Sequence, residues 1–191
     1  YAPLSKKASD SKKFTYGKAI DTVLDSFGNF DPQFRRLAER VFAERHVDSE
    51  IRKAKRGGAF CYSVTPKMIP YVLVNFDGLS RDVSTLAHEF GHAIHSMLAS
   101  DMPLMVFHAP LPLAETASVF AEMLLNEKLA EKMSKKEQRI LLAEQIDNLY
   151  ATIIRQAYFT LFEIDAHKAI GENNATIDAV AKIYMDNLKE Q

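Results

Sequence analysis

The 191-residue chain has one cysteine, Cys61, so no disulfide can form within it. That usage fits a reducing compartment. No apolar run approaches the roughly 18–20 residues that a membrane-spanning helix needs, and no short apolar stretch of a secretory signal stands near the N-terminus. The chain opens on Tyr1 rather than methionine, so its native start is expected elsewhere. There is no excess of one charge. Lysine and arginine number 24 and aspartate and glutamate 25, a formal net charge of −1, which gives no basis for nucleic-acid or membrane partners. The short basic cluster Arg52, Lys53, Lys55 and Arg56 reads as a solvated face. Internal repeats and low-complexity tracts are also missing. What remains is an ordinary globular composition, 47% hydrophobic and 26% charged, long enough for one domain over residues 1–191 with its own core.

Local signals divide the chain into elements. Residues 1–13 are polar and basic and read as a lead-in loop. Thr15 is placed to cap a helix running to about Phe27, with Gly28 as its stop. Asp31-Pro32 opens a second helix, expected to reach about residue 54. β-Branched and aromatic runs bounded by glycine and proline predict strands near 59–64 and 71–76. Ser80 begins a helix to about Ala99, residues 100–112 hold three of the seven prolines and read as a surface loop, and a helix follows over about 113–132. Ser134 and Glu137 form a capping box for a long helix, with apolar positions at 142, 146, 149, 153, 157, 161 and 164 and Gly171 as its stop. Thr176 caps a last helix. The order predicts a mainly α fold with a small antiparallel β-sheet.

The stretch TLAHEFGHAIHSM, residues 85–97, carries the chemistry. Residues four apart on a helix point the same way, so His88 and His92 can offer two imidazoles to one ion. Glu89, rotated by about 100° from His88, is free to handle protons beside it. This is the His-Glu-x-x-His arrangement of zinc peptidases. The alternative is coincidence, but the neighbours Leu86, Ala87, Phe90, Ala93 and Ile94 predict a buried helix, where polar side chains need partners. A catalytic zinc takes three protein ligands. His95 and Leu98 stand where a metzincin has glycine and histidine, so that class is excluded. Glu115, 27 residues after His88 in the apolar setting LAETASVFAE, supplies a third ligand as gluzincins do. Its alternative is an acidic residue favoured by a helix N-terminus. Glu122 lies on the same face and reads as a group behind the ligands. His95 is a turn too far along to ligate. His108 reads as a loop histidine, His46 and His167 as surface residues, and Cys61 as strand packing. The strand at Gly57–Tyr62 is either an edge that pairs with extended peptide, with Gly58 and Ala59 as contacts, or simply a turn entering a strand.

Four blocks, KRGGAFC, PYVLVNFDG, DVSTLAHEFGHAIHS and LAETASVFAEMLL, resemble in order and spacing the oligoendopeptidase F family, zinc metallopeptidases related to thimet oligopeptidase. The resemblance implies a zincin-like (gluzincin) core in which His88, His92 and Glu115 bind one Zn2+ and Glu89 is the general base. It also implies cleavage of short peptides in a channel between helical lobes, by an enzyme of the cytoplasm. Family members are much longer, and after the long helix they carry a segment rich in histidine and tyrosine that supports substrate and oxyanion. Here Tyr184 stands alone, so residues 1–191 are expected to be the metal-binding core of a larger enzyme. A zinc carboxypeptidase or dipeptidase, or a non-catalytic helical metal-binding module, are the rival readings.

Overall fold

A computed structural model describes residues 13–131 and 133–191. All but Lys13 of the expected lead-in loop lies outside the described residues. The chain divides into two compact units, residues 1–133 and 134–191.

In the first unit, Thr15 caps α1 (Tyr16–Phe30) by accepting the Lys18 N–H, and Asp31 caps α2 (Pro32–Ala43) by accepting that of Gln33. Gly28 does not stop α1, because helical bonding persists until the Asp31 N–H closes on the Phe27 carbonyl. Nor does α2 reach residue 54. It ends at Ala43, Arg45 takes a left-handed backbone with φ of 60°, and the chain enters a strand that the sequence did not announce, β1 (Val47–Asp48). β2 (Phe60–Tyr62) and β3 (Tyr71–Leu73) form the expected antiparallel pair. β1 adds to β3 in parallel, with Val47 opposite Val72, so the sheet is mixed, in the order β1-β3-β2. His46 is half-buried rather than free on the surface, its ring stacked 4.1 Å from that of Tyr71.

Gly78 turns the chain from the sheet into the next helix with φ of 89°. A Cβ there would fall 2.6 Å from the Phe14 carbonyl oxygen, so only glycine fits. Asp82 then accepts the backbone N–H groups of Asp77 and Leu79, both at 2.9 Å, fastening the start of α3 (Ser80–Leu98). Within the expected proline loop lies a short helix, α4 (Leu104–Phe107), before α5 (Leu111–Ala130). The core joins Val23 and Phe27 of α1, Val41 of α2, Val72 of β3 and Val74 just past it, Leu86, Phe90 and Ile94 of α3, and Leu125 of α5. Burying each such large side chain stabilises by about 1.5–3 kcal/mol. The face of α3 that they occupy fixes where its other face points.

The second unit holds α6 (Lys135–Leu149), started by the Ser134–Glu137 capping box, a π-helical turn (Tyr150–Arg155), α7 (Gln156–Asn173) and α8 (Ile177–Glu190). Gly171 lies inside α7. Asn174, at φ 47°, takes the left-handed cap position instead. Thr176 caps α8, accepting the Ala179 N–H. Tyr158 bonds the Glu190 carbonyl at 2.8 Å and Asn187 bonds the Tyr158 carbonyl at 2.8 Å, tying α7 to α8. No described helix is long and apolar enough to cross a membrane.

One cation of the basic cluster is buried. The Lys55 side chain is 2% exposed, and its Nζ lies within 3.0 Å of Asp48 Oδ1 and of the carbonyls of Asp48, Glu50 and Val74. It joins β1 to the end of β3. Arg52 grips the same Asp48 carboxylate with two bonds of 2.6 Å. Hydrogen bonds from Arg52 and then Lys55 hold Asp48 far below the usual carboxylate range. Because the folded value is depressed, this stabilisation is complete above the unfolded Asp pKa of about 3.9 and is lost as pH falls below it. Lys55→Met is expected to cost about 1.5–3 kcal/mol in urea unfolding at neutral pH. The deficit relative to wild type should shrink as the pH is lowered from about 4. An unchanged midpoint at pH 7 would show the buried ammonium to be dispensable.

Candidate metal centre

α3 presents His88 and His92 one turn apart, with ring centroids 4.9 Å from each other and planes nearly perpendicular. α5 brings Glu115 across to them. Its Oε2 lies 3.3 Å from His88 Nε2 and 3.6 Å from His92 Nε2. One ligand atom from each of the three falls within 4.8 Å of the others, a cluster that can hold a metal ion. Behind it, Glu122 Oε1 lies 2.6 Å from His88 Nδ1. The Ser118 hydroxyl stands 2.8 Å from Glu115 Oε2. Sequence reading missed Ser118; its one signal was the spacing of three residues from Glu115, which puts both on one face of α5.

The charges respond to these contacts. Burial works against protonation of His88, but the Glu122 carboxylate, with Glu89 and Glu115, outweighs it and raises the pKa. For His92, burial prevails and lowers it, against the pull of Glu115. Glu89 is 6% exposed, and burial raises its carboxyl to about 7, against the opposing charge of His88. It also accepts the Cys61 backbone N–H from β2. The Cys61 thiol is pushed up to about 12 by burial and then by the Glu89 charge, so it stays protonated at neutral pH. It packs against the core.

A cleft opens beside the cluster, lined by Tyr62 at the end of β2 and Ser63 after it, His95 and Ser96 of α3, and Phe107 and His108 of the proline-rich segment. His92 and Glu115 reach into it. Ser63 donates to Ser96 Oγ at 2.6 Å, pinning the end of β2 to α3. His95 thus lies beside the cleft and outside the cluster, and His108 is exposed on its far wall. His167 is exposed on α7. Gly58 and Ala59 are not among the lining residues; Gly58 takes φ of 82°, and its carbonyl accepts from Asn75 at 2.8 Å.

Oligoendopeptidase F (chromosomal) of Lactococcus lactis subsp. cremoris is 32% identical over 193 residues, covering 100% of this chain and 31% of its own. Oligopeptidase PepF of Bacillus subtilis is 30% identical, covering 97% of this chain and 28% of its own. The chain thus spans about a third of the length of the curated relatives it matches. A crystal structure of a provisionally assigned peptidase from Chlamydophila abortus superposes on 100% of this chain and 32% of its own, with a TM-score of 0.76 and 32% identity. PZ peptidase A with an inhibitor shares the fold, with a TM-score of 0.74 over 91% of this chain and 30% of its own at 17% identity. The sequence pattern of peptidase family M3 matches residues 25–191, and the chain belongs to that family.

Proposed function

We propose that the chain carries the zinc centre of an oligoendopeptidase that hydrolyses internal bonds of short peptides. The observation that supports this best is the convergence of His88, His92 and Glu115 beside a buried glutamate, in a chain of a peptidase family. The donors fit the metal. With Glu122 taking the Nδ1 hydrogen of His88, the Nε2 lone pair turns toward Glu115 Oε2, 3.3 Å away. Two acceptors that close repel unless a cation or a proton lies between them. Two imidazoles and a carboxylate are also a donor set that zinc prefers. When bound, zinc supplies Lewis acidity, activating water at neutral pH and polarising the scissile carbonyl.

On this reading His88, His92 and Glu115 hold one ion per chain, and Glu122 fixes the tautomer of His88. Glu89 is the general base. Shielded from solvent and raised to about 7, its carboxylate takes the proton of the attacking water and delivers it to the leaving amine nitrogen. The Cys61 N–H orients that carboxylate from the sheet side. In the order β1-β3-β2, β2 keeps one edge unpaired among the described residues, and we take it, with Gly58 and Ala59 at its head, as the place where extended peptide pairs. We take residues 1–191 as one catalytic-core domain of a longer, cytoplasmic enzyme. The length of the relatives and the single cysteine support this.

Metal analysis of the purified protein is expected to find one zinc per chain, and Glu115→Ala is expected to weaken its binding in a chelator competition. Unchanged affinity in that variant would put the third ligand elsewhere. In the full-length enzyme, Glu89→Gln should keep the zinc and lose ~10²–10⁴-fold in kcat/KM, since an amide of the same shape cannot take a proton. Wild-type turnover would exclude Glu89 as the base. Residues 1–191 alone should cleave a fluorogenic octapeptide far more slowly than the full-length enzyme, as each oxyanion donor left out costs ~10²–10³-fold. Equal kcat/KM for the two would refute the reading of an incomplete core.

A further inference from the structure

α5 approaches α3 closely at Gly91, within the motif turn between His88 and His92. A Cβ at Gly91 would lie 2.6 Å from the carbonyl oxygen of Ala117 and 2.8 Å from both Ser118 Cα and Ala121 Cβ. These are backbone and first side-chain atoms, which cannot swing aside, so any larger residue has to displace α5. Glycine inside a helix is unfavourable in itself, and here it leaves a notch that α5 fills with residues 117–121. Ser118 is sealed there, 0% exposed.

We propose that Gly91 and Ser118 are positioning residues for Glu115, acting together: the Gly91 notch seats Ser118, and the Ser118 hydroxyl holds the Glu115 carboxylate toward the two histidines. This rests on the zinc reading above and adds residues that are not ligands. Glu115 needs holding. Its side chain is 52% exposed and flexible, so on an open helix surface it would spread over several rotamers. The Ser118 hydroxyl lies 2.8 Å from Oε2 and 2.9 Å from the Glu115 carbonyl, and it has one hydrogen to give. Given to Oε2, that hydrogen engages one side of the oxygen that faces both imidazoles and leaves its other lone pair directed at them. Burial keeps water from competing for the bond. Glu115, Ser118 and Glu122 follow at spacings of three and four, so one face of α5 supplies a donor atom, its holder and the group that orients His88.

The test uses the full-length peptidase as wild type, Ser118→Ala, Gly91→Ala and Ser26→Ala. Ser26 is the matched control, a helix serine 2% exposed whose hydroxyl donates to the Val23 carbonyl three residues back, a bond to backbone rather than to a carboxylate. Zinc affinity is read by competition with a chromophoric chelator, and the thermal midpoint of each metal-free protein is measured alongside. Ser118→Ala removes one oxygen and adds nothing, so it should fold as wild type does and bind zinc ~10–100-fold more weakly, the usual cost of losing a partner behind a ligand. Gly91→Ala should weaken binding at least as much; should it not fold, Ser118→Ala alone decides the matter. Ser26→Ala should leave zinc affinity unchanged. Wild-type affinity in Ser118→Ala, or an equal loss in Ser26→Ala, would overturn the proposal. Wild-type protein that takes up no zinc would instead refute the zinc reading, and this inference with it.

Discussion

The close packing of α3 on α5 is the constraint from which the rest of the centre follows. Helices normally pack with axes 8–10 Å apart, a distance set by the side chains between them. Here that layer thins to nothing at Gly91, where backbone meets backbone. Around this point Leu86, Phe90 and Ile94 of α3 and Leu125 of α5 are fully buried. Their burial supplies the free energy, and their shapes fix the rotation of each helix about its axis. Turning α3 by one residue, about 100°, would put Glu89 or Gly91 where Phe90 meets the core. The apolar face therefore determines the polar one.

The cost of this arrangement is concentrated on Glu89. Burying a carboxylate is unfavourable, and burial, against the opposing charge of His88, raises its pKa to about 7. The Cys61 N–H offsets part of it, while the thiol beside it stays neutral. The centre as a whole gathers three carboxylates, Glu89, Glu115 and Glu122, about two imidazoles. A cation among them offsets the surplus negative charge, so on the proposed reading metal binding and the α3–α5 packing stabilise one another.

How much of this could be read from the sequence depends on the range of each interaction. The caps at Thr15, Asp31, Ser134 and Thr176 are local bonds spanning two to three residues, and they were legible. So was the pairing of His88 with His92, which needs only helical periodicity, and Glu115 stood out as a charge in an apolar context. Gly28 and Gly171 misled as helix stops because their neighbours Asp31 and Asn174 supplied the better ends. β1 was hidden because its two residues exist as a strand only through β3 and Lys55. Lys55 itself reads as one more surface cation until the carbonyls of Glu50 and Val74 close over it. Gly91 carries no signal without the partner helix, and Ser118 only its spacing of three residues from Glu115.

The three glutamates of the centre show that residue type does not assign a role; surroundings do. Glu89 is shut away from water and shares its helix with both histidines, so its proton affinity is raised while its carboxylate stays beside the His88–His92–Glu115 cluster. Glu115 is the most exposed of the three, but its Oε2 faces two Nε2 atoms and a hydroxyl, which on the proposed reading suits it to hold a metal rather than to carry protons. Glu122 lies 2.6 Å from the far nitrogen of His88, and on the proposed reading it acts on the metal through that ring. Exchanging any two of these positions would leave the composition unchanged and dismantle the site. The chemistry thus follows from which helix face, and which depth, each carboxylate is assigned by the packing of α3 on α5.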